Sequence, residues 1–216
     1  MNTIVKLFSL VFVCFFFACS NDTDESQSAK NEGSLTIGDK TVTLSQAYLE
    51  SYGKKGNSYN TDFSARSETL SGNNTDAAVV YFELFSSQDK KLTKGDYMLG
   101  DYSSAAPFTY TLWGESLLGI NITSTDKGLR VANGLSIKPT EGVFTVTENG
   151  KQYQVNFSGK GTASTFSNGV LTATQDNVEF TMEYTGNVKM YEGVEYTAKR
   201  VNSKERVVKT HMVLFE

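Results

Sequence analysis

The sequence predicts an all-β fold, an antiparallel β-sandwich, with a lipocalin-like β-barrel as the alternative architecture. Three observations lead there. Apolar residues recur at every second position through most of the chain, the period of a half-buried strand. Turn signals separate these runs at roughly ten-residue intervals, as in sandwiches and barrels. The composition suits strands and tight turns: 14 Phe, 11 Tyr, 18 Gly and only 2 Pro in 216 residues, since aromatic residues favour the pleated, half-buried surface.

The elements follow in chain order. Leu35 and Ile37, then Val42 and Leu44, flank Gly38-Asp39 and form the first expected hairpin. Gln46 to Tyr52 (QAYLESY) is the one stretch that fits a short helix or a single helical turn. Tyr59, Thr61, Phe63 and Ala65 alternate with polar partners. In VVYFELF, Val80, Phe82 and Leu84 share one face and Tyr81, Glu83 and Phe85 the other. Leu92 to Leu99 reads as a turn feeding a short strand. Phe108, Tyr110 and Leu112 alternate with Thr109, Thr111 and Trp113, and Leu118, Ile120 and Ile122 continue the period.

Val143 to Val146 and Tyr153, Val155 and Phe157 are split by Asn149-Gly150, the clearest hairpin signal in the chain. Gly159-Lys160-Gly161-Thr162 lacks phosphate-loop spacing and reads as turns. Val178, Phe180, Met182 and Tyr184 form the next strand. Val207 to Phe215 forms the last.

The N-terminus carries a different pattern. Met1 to Cys19 reads MNTIVKLFSLVFVCFFFAC: Lys6 supplies a short positive region and Leu7 to Phe17 an apolar run of signal-peptide length. That run is too short for a comfortable permanent membrane span. Phe16-Phe17-Ala18-Cys19 resembles a bacterial lipobox, whose cysteine is lipidated and becomes the new N-terminus. It departs from the commonest pattern in having Phe at both upstream positions. The plainer alternative is a secretory signal cleaved nearby. The expected organisation is a signal peptide over 1–18, a flexible acidic tether over 19–33 and a single all-β domain over 34–216. The tether opens with Ser20-Asn21-Asp22-Thr23-Asp24-Glu25 and has almost no apolar residues, so it cannot bury enough surface to fold.

Composition excludes several function classes. The net charge is −4, with 20 basic and 24 acidic residues interspersed, so the basic stripe of a nucleic-acid binder is missing. Both cysteines, Cys14 and Cys19, lie in the leader region, and His211 is the lone histidine. Thiol catalysis, Cys/His metal sites and a Ser-His-Asp triad are therefore not expected. No cofactor, metal or catalytic residue is assigned, and the chain is read as a non-enzyme.

Two candidate constellations stand out. Trp113, with Tyr110 and Tyr102 nearby, would offer rings on which a sugar or other flat ligand could stack. The carboxylates Glu83, Asp96, Asp101, Glu115, Glu179 and Glu183 read as outward charges that keep strands soluble and discourage edge pairing. Glu179 and Glu183 sit about 13 Å apart along one strand face, too far for a two-carboxylate glycosidase mechanism.

Several phrases recur in an order that resembles small β-rich lipoproteins of the Bacteroidetes type: LTIGDKTVTLSQAYLESY from Leu35, YFEL from Tyr81, LTKGDY from Leu92, GVFTVTENGKQYQVNF from Gly142 and EYTG from Glu183. The resemblance implies an outer-membrane lipoprotein with a β-sandwich-like domain and no characterised activity. The acidic cluster after Cys19 also resembles the surface-export signal of such proteins. The expected location is therefore the cell surface, with the periplasmic face as alternative. The expected function is a non-enzymatic binding module held to the membrane through Cys19, with a glycan or envelope protein as partner. The alternatives are a lipocalin-like carrier of a small apolar ligand and, behind it, a glycan-acting hydrolase.

Overall fold

The computed structural model describes residues 30–67, 77–111, 118–125, 128–149 and 152–191. Among these the chain is all-β, with twelve strands and no helix. The expected leader, Cys19, Trp113, Glu115 and the strand expected over Val207 to Phe215 lie outside the described residues.

The strands are β1 (Glu32–Ile37), β2 (Lys40–Leu44), β3 (Gln46–Lys55), β4 (Ser58–Arg66), β5 (Ala78–Ser86) and β6 (Gly95–Leu99), then β7 (Thr109–Thr111), β8 (Gly119–Thr125), β9 (Gly128–Asn149), β10 (Gln152–Ser167), β11 (Val170–Gly186) and β12 (Val188–Tyr191). All belong to one hydrogen-bonded sheet, ordered β12-β3-β4-β5-β7-β6-β9-β10-β11-β1-β2, while β8 bridges β5 and β9. That bridge closes a five-strand ring, β5-β7-β6-β9-β8. The two expected architectures thus meet in one molecule. Strands face one another across a core as in a sandwich, and the sheet is continuous and locally closed as in a barrel. Most pairs are antiparallel. The exceptions are β6 with β7 and β12 with β3, where the chain changes direction to join the sheet's parts.

The core is aromatic. Phe63 on β4 meets Phe144 on β9 with ring centroids 5.5 Å apart, and Phe82 on β5 lies 4.9 Å from Phe144 and 5.0 Å from Phe157 on β10. Phe157 in turn stacks on Phe180 of β11 at 4.7 Å. Edge-to-face and offset pairs of this kind add roughly 0.5–1.5 kcal/mol beyond area burial. All five rings are buried.

Two hairpins expected from sequence form, though Asn149, read as part of the second turn, pairs with Gln152 as the last residue of β9. Gly38-Asp39 links β1 and β2, where Ile37 pairs with Lys40. Phe144 pairs with Phe157 and Val146 with Val155 across β9 and β10. β1 starts at Glu32, inside the stretch read as tether.

Gln46 to Tyr52, read as a helical turn, is the first half of β3. Ala47 and Leu49 point into the core while β4 pairs alongside, so tertiary pairing overrides a weak local preference. Gly159-Lys160-Gly161-Thr162, read as turns, lies inside β10. These glycines serve close packing. Gly142 has φ 146° and pairs with Gly159. A Cβ on Gly142 would overlap the Phe157 ring and come within 2.7 Å of the Ser158 carbonyl oxygen. The pairing register shifts just beyond, at Lys160 and Gly161, so the long strands bend here.

Phe82→Ala should lower stability by about 3–5 kcal/mol, read as a shift in the urea midpoint at unchanged slope. Burial pushes the Tyr110 and Tyr184 phenols up to about 12. Because their folded-state values lie above the unfolded one, the stability they contribute is complete below about pH 10. It should be lost as pH rises toward 12. Absorbance at 295 nm should show these tyrosines ionising together with alkaline unfolding, later than the exposed ones.

Candidate functional site

The expected stacking trio does not assemble on the surface. Tyr110 is fully buried; its ring packs 5.7 Å from both Phe82 and Phe157, and its hydroxyl donates to the Gly142 carbonyl at 3.2 Å. It is a core residue because β7 turns this side chain inward between β5 and β6. Tyr102 lies on the β6–β7 connection, where its ring meets Phe85 at 5.9 Å and the Lys55 ammonium lies over its face. Trp113 falls outside the described residues.

The carboxylates divide by environment. Glu179 and Glu183 are exposed on β11, as read. Asp96 accepts a hydrogen bond from Thr145 at 2.8 Å. Asp101 accepts from the Ser103 amide and hydroxyl, both at 2.9 Å, which holds its carboxyl below the usual range. Glu83 departs from the solvated reading. It points away from the aromatic core and is nonetheless fully buried.

Every residue of β5, and every residue of β4 but one, is buried, so both faces of this strand pair are covered. The face away from the aromatic core is polar. Glu50, Asp62, Glu83 and Thr111 form one cross-strand row over β3, β4, β5 and β7. The Glu83 carboxylate accepts from Asn60 Nδ2 at 2.9 Å and Thr111 Oγ1 at 2.7 Å. Asp62 accepts from the Tyr81 hydroxyl at 2.6 Å. Beside them, Arg66 donates to Gln46 at 3.0 Å and to the Tyr48 hydroxyl at 3.1 Å. Burial in hydrogen-bonded partnership is how a sheet accommodates such a row. Sequence alternation placed Glu83 on the right face but carried no sign that this face is covered. Among the described residues, no group of three His, Cys, Asp or Glu side chains is arranged to hold a metal ion.

A second region lies beyond the glycine bend. Here β9 and β10 still reach the core through Ile137 and Ala163, while the hairpin half of β11 extends beside β10 as an exposed arm. Val170 to Asn177 of β11 are exposed at eight consecutive positions. Strict alternation would bury every second residue, so both faces of the strand meet solvent. Among the described residues this stretch pairs with β10 alone; β1 joins β11 only from Phe180 onward. The β10–β11 loop is Asn168-Gly169, with φ 50° and 75°, the type I′ pattern that suits a tight hairpin. Val170 and Leu171, beside it, are 64% and 54% exposed. At the arm's base, an open groove of about 430 Å³ is bordered by Met98, Glu141, Lys160 and Glu179.

Thr111→Val should cost about 1.5–3 kcal/mol by removing a donor to a buried carboxylate. Glu83→Ala should cost about 2–4 kcal/mol, because the Asn60 amide and Thr111 hydroxyl lose their acceptor together. Equal urea midpoints for wild type and both variants would show that the layer is solvated. No family model matches this chain, and no curated protein or solved structure matches it either.

Proposed function

We propose that this chain is a lipid-anchored, non-enzymatic interaction module of the outer membrane that engages partners through its outer surface. One observation carries the reading. The interior is occupied by interlocked rings 4.7–5.7 Å apart, while the hairpin half of β11, Val170 to Asn177, is exposed at every position. A carrier would share the closed ring of strands, but the space for its ligand is filled by Phe63, Phe82, Phe144 and Phe157. A hydrolase would need convergent carboxylates at an open cleft. Glu83 and Asp62 are instead buried and engaged as hydrogen-bond acceptors.

The leader ending at Cys19 and the acidic stretch behind it support the anchor and the surface location. Each buried methylene of an acyl chain contributes about 0.8 kcal/mol, so several chains on one cysteine give lasting retention. A glycan or an envelope protein fits the exposed arm and its base groove as partner.

Cys19→Ala should move the protein from the membrane pellet to the soluble fraction, and labelled palmitate should mark the wild type only. Continued pelleting of the variant would overturn the anchor. Protease treatment of intact cells should remove the β-domain if it faces outward; protection would place it on the periplasmic side.

A further inference from the structure

The reverse face of β3, β4 and β5 is a buried layer with an excess of acids. Glu50, Asp62 and Glu83 sit side by side in one row and are 6%, 3% and 0% exposed. Arg66 lies beside them and donates to Gln46 and Tyr48. With the three acids ionised, one guanidinium leaves the layer net negative, and buried charge is stable only when it is paired. Glu50, Asp62, Arg66 and Glu83 each make a further interaction besides those named. Described residues cap the two ends of this face: the Tyr102 ring meets Phe85 at 5.9 Å, and Ile122 packs with Val79. Between those ends the acids are out of water in a single chain, so their cover belongs to that chain.

We propose that residues 192–216 form this cover, with their basic stretch laid over the acid row. Two observations choose this segment. β12 ends at Tyr191, which pairs with Glu50 at the start of the row, so the chain leaves the sheet beside the acids. Charge is the second. From Ala198 to His211 the sequence carries Lys199, Arg200, Lys204, Arg206 and Lys209 against a single acid, Glu205, in a chain of net charge −4. The other stretches outside the described residues do not match. Residues 1–29, 68–76 and 112–117 each carry more acids than bases, while 126–127 and 150–151 are too short to form a layer. Reach is ample: neighbouring strands lie about 4.8 Å apart, so the row of three acids is about 10 Å long, and the segment is several times longer when extended. The segment acts as a strap. Displacing it opens an acidic face of three strands to solvent, while the aromatic core on the other side stays closed. The strap needs neither the lipid nor an outside partner.

Ser64 lies on this face, paired with Tyr48 and Tyr81, and is 5% exposed. Ser64→Cys in the full-length chain should react with a maleimide at least tenfold more slowly than Thr181→Cys, at an exposed position of β11. Adding Lys199→Ala, Arg200→Ala, Lys204→Ala and Arg206→Ala together should raise the Ser64→Cys rate at least tenfold. Ala65→Cys, on the core face, should stay protected in the same background. A direct test of contact combines Ser64→Cys with one further cysteine at each position from 198 to 211 in turn. Each chain is mildly oxidised and its linked peptides are identified by mass. A disulfide needs Cα atoms within about 7 Å. Linkage should therefore peak at one or two adjacent positions, at least fivefold above the rest. Fast labelling of Ser64→Cys with the tail unaltered, an unchanged rate after neutralisation, no linkage across the scan, or linkage of Ser64→Cys to Cys14 or Cys19 overturns the strap. If the neutralised tail exposes Ala65→Cys as well, the fold is lost in that background and the linkage pattern decides.

Discussion

The packing of Phe157 against a pair of residues without side chains is the constraint on which the rest depends. Gly142 and Gly159 face each other across β9 and β10, and the Phe157 ring fills the space a Cβ would take. That ring then contacts Phe82, Tyr110 and Phe180, which lie on three other strands. One aromatic thus links both halves of the curled sheet. The same bare positions let the long strands bend where they pass the core.

The central strands are buried twice, and the two burials differ in kind. Toward the core, Phe63, Phe82 and Leu84 meet other apolar groups. On the reverse face Asp62 and Glu83 meet Tyr81, Asn60 and Thr111. A dry carboxylate is tolerated only when its oxygens have donors, so the geometry of β4, β5 and β7 is fixed by hydrogen bonding as well as by packing. Such a layer resists register slips, because a one-residue shift would bring each acid to the apolar side.

The arm obeys the opposite rule. Past the bend, β9 and β10 keep Ile137 and Ala163 in the core, but from Val170 to Asn177 β11 buries nothing. Backbone pairing to β10 holds β11 there, with bulges at Thr172 and at Asp176-Asn177.

The fold class, the β1–β2 and β9–β10 hairpins and the inward residues of β4, β5 and the core half of β11 were legible because alternation at period two records one buried face. The helical reading of Gln46 to Tyr52 failed because Tyr48 and Tyr52 blur that alternation. The arm was missed altogether. Val170 to Asn177 is held by pairing to β10 rather than by a buried side, so no periodicity marks it, and in Gly161 to Ser167 only Ala163 supplies a core side chain. Tyr110 and Glu83 illustrate the same limit from the other direction. By itself the sequence determined that alternating apolar residues form strands and which of their faces turns inward. Only the tertiary structure decided which outer faces are covered, that Tyr110 belongs to the core, and that Val170 to Asn177 is exposed throughout. Those outcomes depend on contacts between strands far apart in the chain, and local pattern carries no record of them.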